Sequence, residues 1–177
     1  MYRATRFQPS SPDAKANGQV LMPYFEVLKG SKLQHLIPTY HLDQLDPNIF
    51  YPQKTVCDMQ FQMSKEMGLF SGELVNIGIK SIDSIGFPPE VKTLHNALDM
   101  LHQIYQAIHQ GVPAEEGWLF ESLSDTKKRI FFNSPYEPFA AYGYIYAIAK
   151  RFKPSETDST VEMKEEEGLT VYYVEFK

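Results

Sequence analysis

The sequence predicts an α+β domain: N-terminal helices followed by a ββαββ unit, forming a four-stranded antiparallel sheet with a buried helix. Three observations predict it. Apolar residues recur at helical spacing between Thr55 and Gln110. After Gly111 the period changes to the alternation of strands. Residues 138–152, "PFAAYGYIYAIAKRF", are apolar almost all round, the pattern of a helix covered on every side.

Residues 1–18 are rich in Pro, Ser, Ala and Asn without periodicity and are expected to form a mobile tail, leaving 19–177 as a single domain. Pro23, Gly30, Pro38 and Pro47 then limit any helix between 19 and 47 to short pieces. "TVCDMQFQMSKEMG" gives a helix with Val56, Met59, Met63 and Met67 on one face, closed at Gly68. Ser71 caps a second helix, whose Leu74, Ile77 or Gly78, and Ser81 or Ile82 turn inward. Pro89 precedes a third helix over 90–110.

"GWLFESL" and "KKRIFF" read as two strands joined through Ser124, Asp125 and Thr126, all turn formers. The 138–152 helix follows, with Lys150 and Arg151 in its last turn, where cations favour the helix dipole. "STVEMKE" and "LTVYYVEFK" close the chain as a hairpin turned at Glu167 and Gly168.

Composition narrows the function classes. The 177 residues are 43% hydrophobic and 22% charged, which suits one well-cored domain. A net charge of -5 without any Lys/Arg run argues against a nucleic-acid partner. Cys57 is the one cysteine, which excludes an internal disulfide and a zinc site built on several cysteines, and fits a reducing, cytoplasmic setting. Its place on an apolar helix face favours an inert buried thiol. The N-terminus lacks the apolar core of a secretory signal, and the most apolar stretch is too short to span a bilayer. "GIKS" at 78–81 is not a phosphate-binding loop, and no G-x-S-x-G or H-E-x-x-H occurs. No catalytic residue is assigned, and the chain is expected not to be an enzyme.

Three of the five histidines, His95, His102 and His109, lie seven residues apart in the third helix. On a helical wheel they border the stripe of Leu94, Leu98, Leu101, Tyr105 and Ile108. Neighbours in this series are roughly 10 Å apart along the axis, so no two can share one metal ion. A single histidine can still serve alone as the axial ligand of a haem iron.

The stretch "DMLHQIYQAIHQG" resembles the proximal helix of the H-NOX (haem nitric oxide/oxygen binding) family. There an Asp precedes the haem-ligating His by three residues, a Gly ends the helix nine after it, and a proline follows. Asp99, His102, Gly111 and Pro113 fit that spacing. "SKEMGLFSGELVNIG" is similar to the family's helix pair, and "GYIYAIAKRF" with the closing hairpin matches in order and length; the similarity covers roughly residues 55–177. The resemblance implies an H-NOX-like fold with haem held through His102, which would point between helix and sheet, while His95 and His109 stay at the boundary without a ligand role.

One motif departs from the family. Its Tyr-x-Ser-x-Arg propionate clamp reads "FNSPY" here: Phe132 replaces the Tyr, Ser134 fits, and Tyr136 replaces the Arg. A propionate loses its bidentate cation, unless Lys127, Lys128 or Arg129 stands in. The ββαββ ending also resembles the 4-vinyl reductase domain and, in fold, TRAPP subunits of vesicle tethering. Those domains bind small hydrophobic ligands or serve as scaffolds, but the cysteine pair often found at their last hairpin is missing here.

Met59, Met63, Met67, Met100, Tyr142, Tyr144 and Tyr146 are core or pocket residues by type. The pocket is assigned to Met59, Met63, Leu98, Leu101, Tyr105, Tyr142 and Tyr146. Three functional readings follow, in this order. The first is a sensory module that binds a small apolar ligand and signals to a separate protein effector. The second is a haem-based NO/O2 sensor with His102 as axial ligand. The third is a ligand-free TRAPP-like scaffold or adaptor. Oligomeric state and ligand identity stay open.

Overall fold

The computed structural model describes residues 2–67, 72–85, 87–154 and 156–177. The expected cap at Ser71 and the helix end at Gly68 lie outside these residues.

Chain order begins with a short strand, β1 (Lys15–Asn17), and helix α1 (Gly18–Leu28). Asn17 caps α1 by accepting from the Gln19 N–H at 3.0 Å. The helix runs through Pro23, so proline does not divide it as expected. The cap and the burial of Val20, Leu21, Tyr24 and Leu28 offset the hydrogen bond that Pro23 cannot donate. A single turn, α2 (Leu36–Thr39), and strand β2 (Phe50–Pro52) lead into α3 (Gln53–Met67) and α4 (Gly72–Ser84). Helix α5 (Leu94–Ala107) starts at a Thr93 cap and ends three residues short of the expected boundary. A two-residue strand, β3 (His109–Gln110), replaces its last turn.

The second half follows the predicted ββαββ order: β4 (Gly117–Ser122), β5 (Lys127–Asn133), α6 (Pro138–Arg151), β6 (Ser159–Glu166) and β7 (Leu169–Phe176). These strands form one antiparallel sheet in the order β4-β5-β7-β6. The turn residues set register, with Ser122 opposite Lys128 and Glu166 opposite Leu169.

Helix α6 packs between α4 and the sheet, burying Ala140, Ala141, Gly143, Ile145, Ile148 and Ala149. Its approach to α4 is backbone to backbone. A Cβ on Gly78 would lie 2.0 Å from the Ala140 carbonyl oxygen, and one on Gly143 would lie 2.1 Å from that of Val75. Two glycines facing each other therefore set the helix spacing. The outer face of α6 is wet, with Tyr146 38% exposed. No described helix is long and apolar enough to cross a membrane.

Two features were not visible in the sequence. A second sheet, ordered β2-β1-β3, ties the N-terminus to residues 50–52 and 109–110. Residues 2–17 also do not form a detached tail. The Phe7 N–H donates to the Pro135 carbonyl at 2.7 Å, and the Ala4 N–H to Asn133 Oδ1 at 2.9 Å. Phe7 packs edge-on against Phe61. The segment lacks periodicity because hydrogen bonds to distant residues hold it, not an apolar face of its own.

Candidate ligand site

A cavity of about 90 Å³ lies where α1, α4, α5 and α6 meet the sheet, and Gln19 and Ser84 of its lining are exposed. Tyr24 reaches it from α1, Leu101, Ile104 and Tyr105 from α5, Trp118 from β4, Phe132 from β5, and Ala140, Ala141 and Tyr144 from α6. The Trp118 ring lies against Phe132 at 4.3 Å between centroids and against Tyr144 at 5.7 Å. Rings thus occupy much of the space between the helices and the sheet.

Of the assigned pocket residues, the structure places Leu101 and Tyr105 at this cavity, together with Phe132 and Tyr136 of the altered clamp. Met59, Met63 and Leu98 are buried in the core elsewhere. Tyr142 and Tyr146 point the other way, ring beside ring at 6.3 Å on the outer face of α6. The helical period explains the correction: residues 142 and 146 share a face, and Tyr144 between them lies across the axis, on the cavity side.

The histidines are also redistributed. His95 is exposed beside Asp99 at 3.5 Å, so Asp99 pairs with it and not with His102. His102 is half-buried against β4, with Nδ1 3.2 Å from where a Cβ on Gly117 would lie. Among the described residues Nδ1 has no hydrogen-bond partner, and His102 does not line the cavity. His109, expected at the boundary, is 5% exposed and does line it. The physical reason is that α5 has ended. Residue 109 pairs with Ala16 in β3, so strand geometry aims its ring inward.

Both His109 nitrogens are engaged. Nδ1–H donates to the Tyr105 carbonyl at 2.8 Å, so Nε2 accepts, and the Tyr136 hydroxyl donates to it at 2.7 Å. The ring stacks on Tyr105 at 4.0 Å. Burial pushes the imidazole pKa down to about 4, against the pull of the Tyr105 carbonyl, so His109 is neutral near pH 7.

Beside this pair lies a buried carboxylate, Glu116, 0% exposed. Its Oε1 accepts from Gln53 Nε2 at 2.8 Å and the Tyr105 hydroxyl at 2.6 Å. Its Oε2 accepts from the Tyr2 hydroxyl at 2.9 Å and from the Ser10 hydroxyl. With its proton on Glu116, the Tyr105 oxygen accepts from Ser134 Oγ–H at 2.9 Å. Ser134 therefore serves an internal network. Pro113 contributes its carbonyl, which accepts from Gln106 Nε2 at 3.2 Å.

These residues do not fit haem. The cavity is far below the roughly 300–1,000 Å³ that drug-sized ligands take, and a porphyrin is larger still. No cation reaches it from β5. Lys127 pairs with Glu175 at 3.8 Å, Lys128 donates to the Ser124 carbonyl at 3.1 Å, and Arg129 binds Glu121 at 2.9 Å and also Glu166. Glu137 borders the cavity, and a propionate beside its carboxylate would be repelled. Among the described residues no group of three His, Cys, Asp or Glu side chains could hold a metal ion.

No family model matches the sequence, and no curated protein matches it either. Solved structures do. An iron(II) unliganded H-NOX protein mutant from K. algicida superposes with a TM-score of 0.67 at 10% identity, covering 91% of this chain and 96% of that one. A T. Tengcongensis H-NOX mutant gives 0.61 at 15% identity, covering 91% and 97%. An oxygen-binding H-NOX domain related to soluble guanylate cyclases, solved as its oxygen complex, gives 0.59 at 15% identity, covering 91% and 95%. The chain has the H-NOX fold. Identities this low leave every residue's role to be argued from this chain.

Proposed function

We propose that this protein is a non-catalytic sensory or binding module, which takes a small, largely apolar molecule in the cavity beneath α1, α5 and α6 and passes its occupancy to a separate protein. The observation that carries the reading is the cavity itself: a space walled by Tyr24, Trp118, Phe132 and Tyr144 where helices meet sheet. The similarity in fold to an oxygen-binding domain supports a ligand-binding role.

The side chains support binding without turnover. Cys57 is fully buried, and burial pushes its thiol up to about 12, far from a reactive thiolate. His109 spends both nitrogens on Tyr105 and Tyr136, leaving no lone pair for a substrate proton. The proposed route to a partner runs through β3, since His109 touches the cavity on one side and pairs with the N-terminal strand on the other.

Native mass spectrometry of the purified protein tests the reading. A copurifying small molecule that leaves on gentle activation supports it. A clean apo mass together with a tight protein complex favours the scaffold reading, and a bound haem mass favours the haem sensor.

A further inference from the structure

Residues 2–13 form a strap that the fold holds without burying. None of them is buried, and burial begins at Ala14, just before β1. Polar contacts do most of the holding. Besides the Phe7 and Ala4 amide bonds, the Ser10 N–H donates to Gln53 Oε1 at 2.8 Å, and Ser11 Oγ–H donates to the Gly111 carbonyl at 3.1 Å. The exposed pair of Arg6 and Glu165, at 3.6 Å, adds little. Phe7 takes a left-handed backbone, φ 63°, which a bulky side chain adopts only where its surroundings impose it. A segment with so little buried apolar surface opens at low free energy.

One anchor of the strap leads directly to the cavity. Tyr2 and Ser10 donate their hydroxyls to Glu116 Oε2, and Tyr105 donates to Oε1 of the same fully buried carboxylate. Tyr105 is also a wall of the cavity. Its ring stacks on His109 at 4.0 Å, and Gly117, next in the chain after Glu116, approaches so closely that a Cβ there would lie 2.9 Å from Tyr105 Cδ1. The carboxylate thus positions a cavity wall with one oxygen and holds the strap with the other. Once the strap leaves, water replaces its two hydroxyls, and a hydrated carboxylate holds the Tyr105 hydroxyl in no single place.

We infer that residues 2–13 report the state of the cavity: a small apolar occupant fastens the strap through Tyr105 and Glu116, and an empty cavity lets it open. The inference rests on the ligand-binding reading above and deepens it by naming the element that carries occupancy to the surface. Geometry sets the sign. The cavity has its form only with Tyr105 in place, and Tyr105 is in place with the strap docked, so a ligand prefers the docked state and shifts the population toward it. The coupling is reciprocal: the factor by which a ligand favours docking is the factor by which docking favours the ligand. The strap runs on into β1, whose pairing with β3 brings His109, a second wall residue, onto the same route.

Xenon is the probe, since it is apolar, enters dry protein cavities and quenches a tryptophan that it touches. Trp118, the chain's one tryptophan, lines the cavity and is 4% exposed, so saturable quenching reports occupancy. Amide hydrogen exchange is followed by NMR under xenon and under helium at equal pressure. At saturating xenon the Ala4, Phe7 and Ser10 amides are expected to exchange at least about threefold more slowly. The Lys127 amide, in the β4–β5 turn, is the control and should keep its rate. The double variant Tyr2→Phe with Ser10→Ala takes both strap hydroxyls from Glu116. Its strap should exchange faster and its xenon dissociation constant should rise, by no more than the factor of slowing in wild type. If xenon saturates the quenching while the strap exchanges as before, or if the variant loosens the strap without weakening xenon, the strap inference falls and the ligand-binding reading stands. If xenon gives no saturable quenching, the ligand-binding reading falls and the strap inference falls with it. Should the variant not fold, the wild-type comparison decides alone.

Discussion

His109→Gln tests whether the buried histidine is held neutral, and the magnitude follows from its environment. Burial lowers its pKa from the ordinary 6.5 to about 4. That is a difference of about 2.5 units, or roughly 3 kcal/mol at 1.36 kcal/mol per unit. The unfolded chain binds the proton more readily than the folded one. The associated stability is therefore fully present above about pH 6.5 and is lost as pH falls toward 4. Glu137 has the opposite sign: burial raises its carboxyl to about 6, against the pull of the Phe139 and Ala140 N–H groups and the Arg6 charge. Its contribution is present below the ordinary carboxyl pKa and fades as pH rises through 6. Wild type alone would blend the two slopes, but Glu137 is common to both proteins. Urea unfolding followed by far-ultraviolet circular dichroism, at pH steps from about 7.5 to 4, isolates the histidine. His109→Gln should be the less stable protein at pH 7.5, because it loses the Tyr105 stack and the Tyr136 bond. Wild type should then lose about 3 kcal/mol relative to it by pH 4. A stability gap that stays constant across this range refutes the reasoning.

Further perturbations address other parts of the structure. Gly78→Ala puts a Cβ 2.0 Å from the Ala140 carbonyl oxygen and should lower the urea midpoint by an amount worth about 1–3 kcal/mol, exceeding the gain of about 1 kcal/mol in helix propensity. Gly72→Ala, where a Cβ meets nothing within 4 Å, is the control and should not destabilise; a stabilised Gly78→Ala would contradict the close approach of α4 and α6. Glu116→Ala strips the acceptor from Gln53, Tyr105, Tyr2 and Ser10, at a cost of about 3 kcal/mol. Hydrogen exchange at the Phe7 and Ser10 amides should accelerate with it, and unchanged protection would show that the N-terminal segment is held by other contacts. Protein expressed with haem supplied should give no Soret band, whereas a band abolished in His102→Ala but kept in His109→Ala would restore the haem reading.

Local pattern carried much of the fold. The switch from helical to alternating period at Gly111 marks where the sheet starts, and Ser124 to Thr126 and Glu167 to Gly168 mark its hairpins, because turn chemistry is a property of neighbouring residues. The all-round apolar character of 138–152 foretold a helix packed on two sides, and the helical period would have selected Tyr144 over Tyr142 and Tyr146 for the interior. Beyond that, the sequence by itself determined which segments could be helix or strand. The tertiary structure alone decided which histidine is buried. His109 turns inward because β3 pairs with β1, more than ninety residues earlier, and no local period records such a pairing. Glu116 and Glu137 read in sequence as ordinary charged loop residues, yet both are wholly buried, one satisfied by Gln53, Tyr105, Tyr2 and Ser10 and the other capping α6. A carboxylate's environment is assembled from residues far apart along the chain, so folding, and not spacing, sets its chemistry.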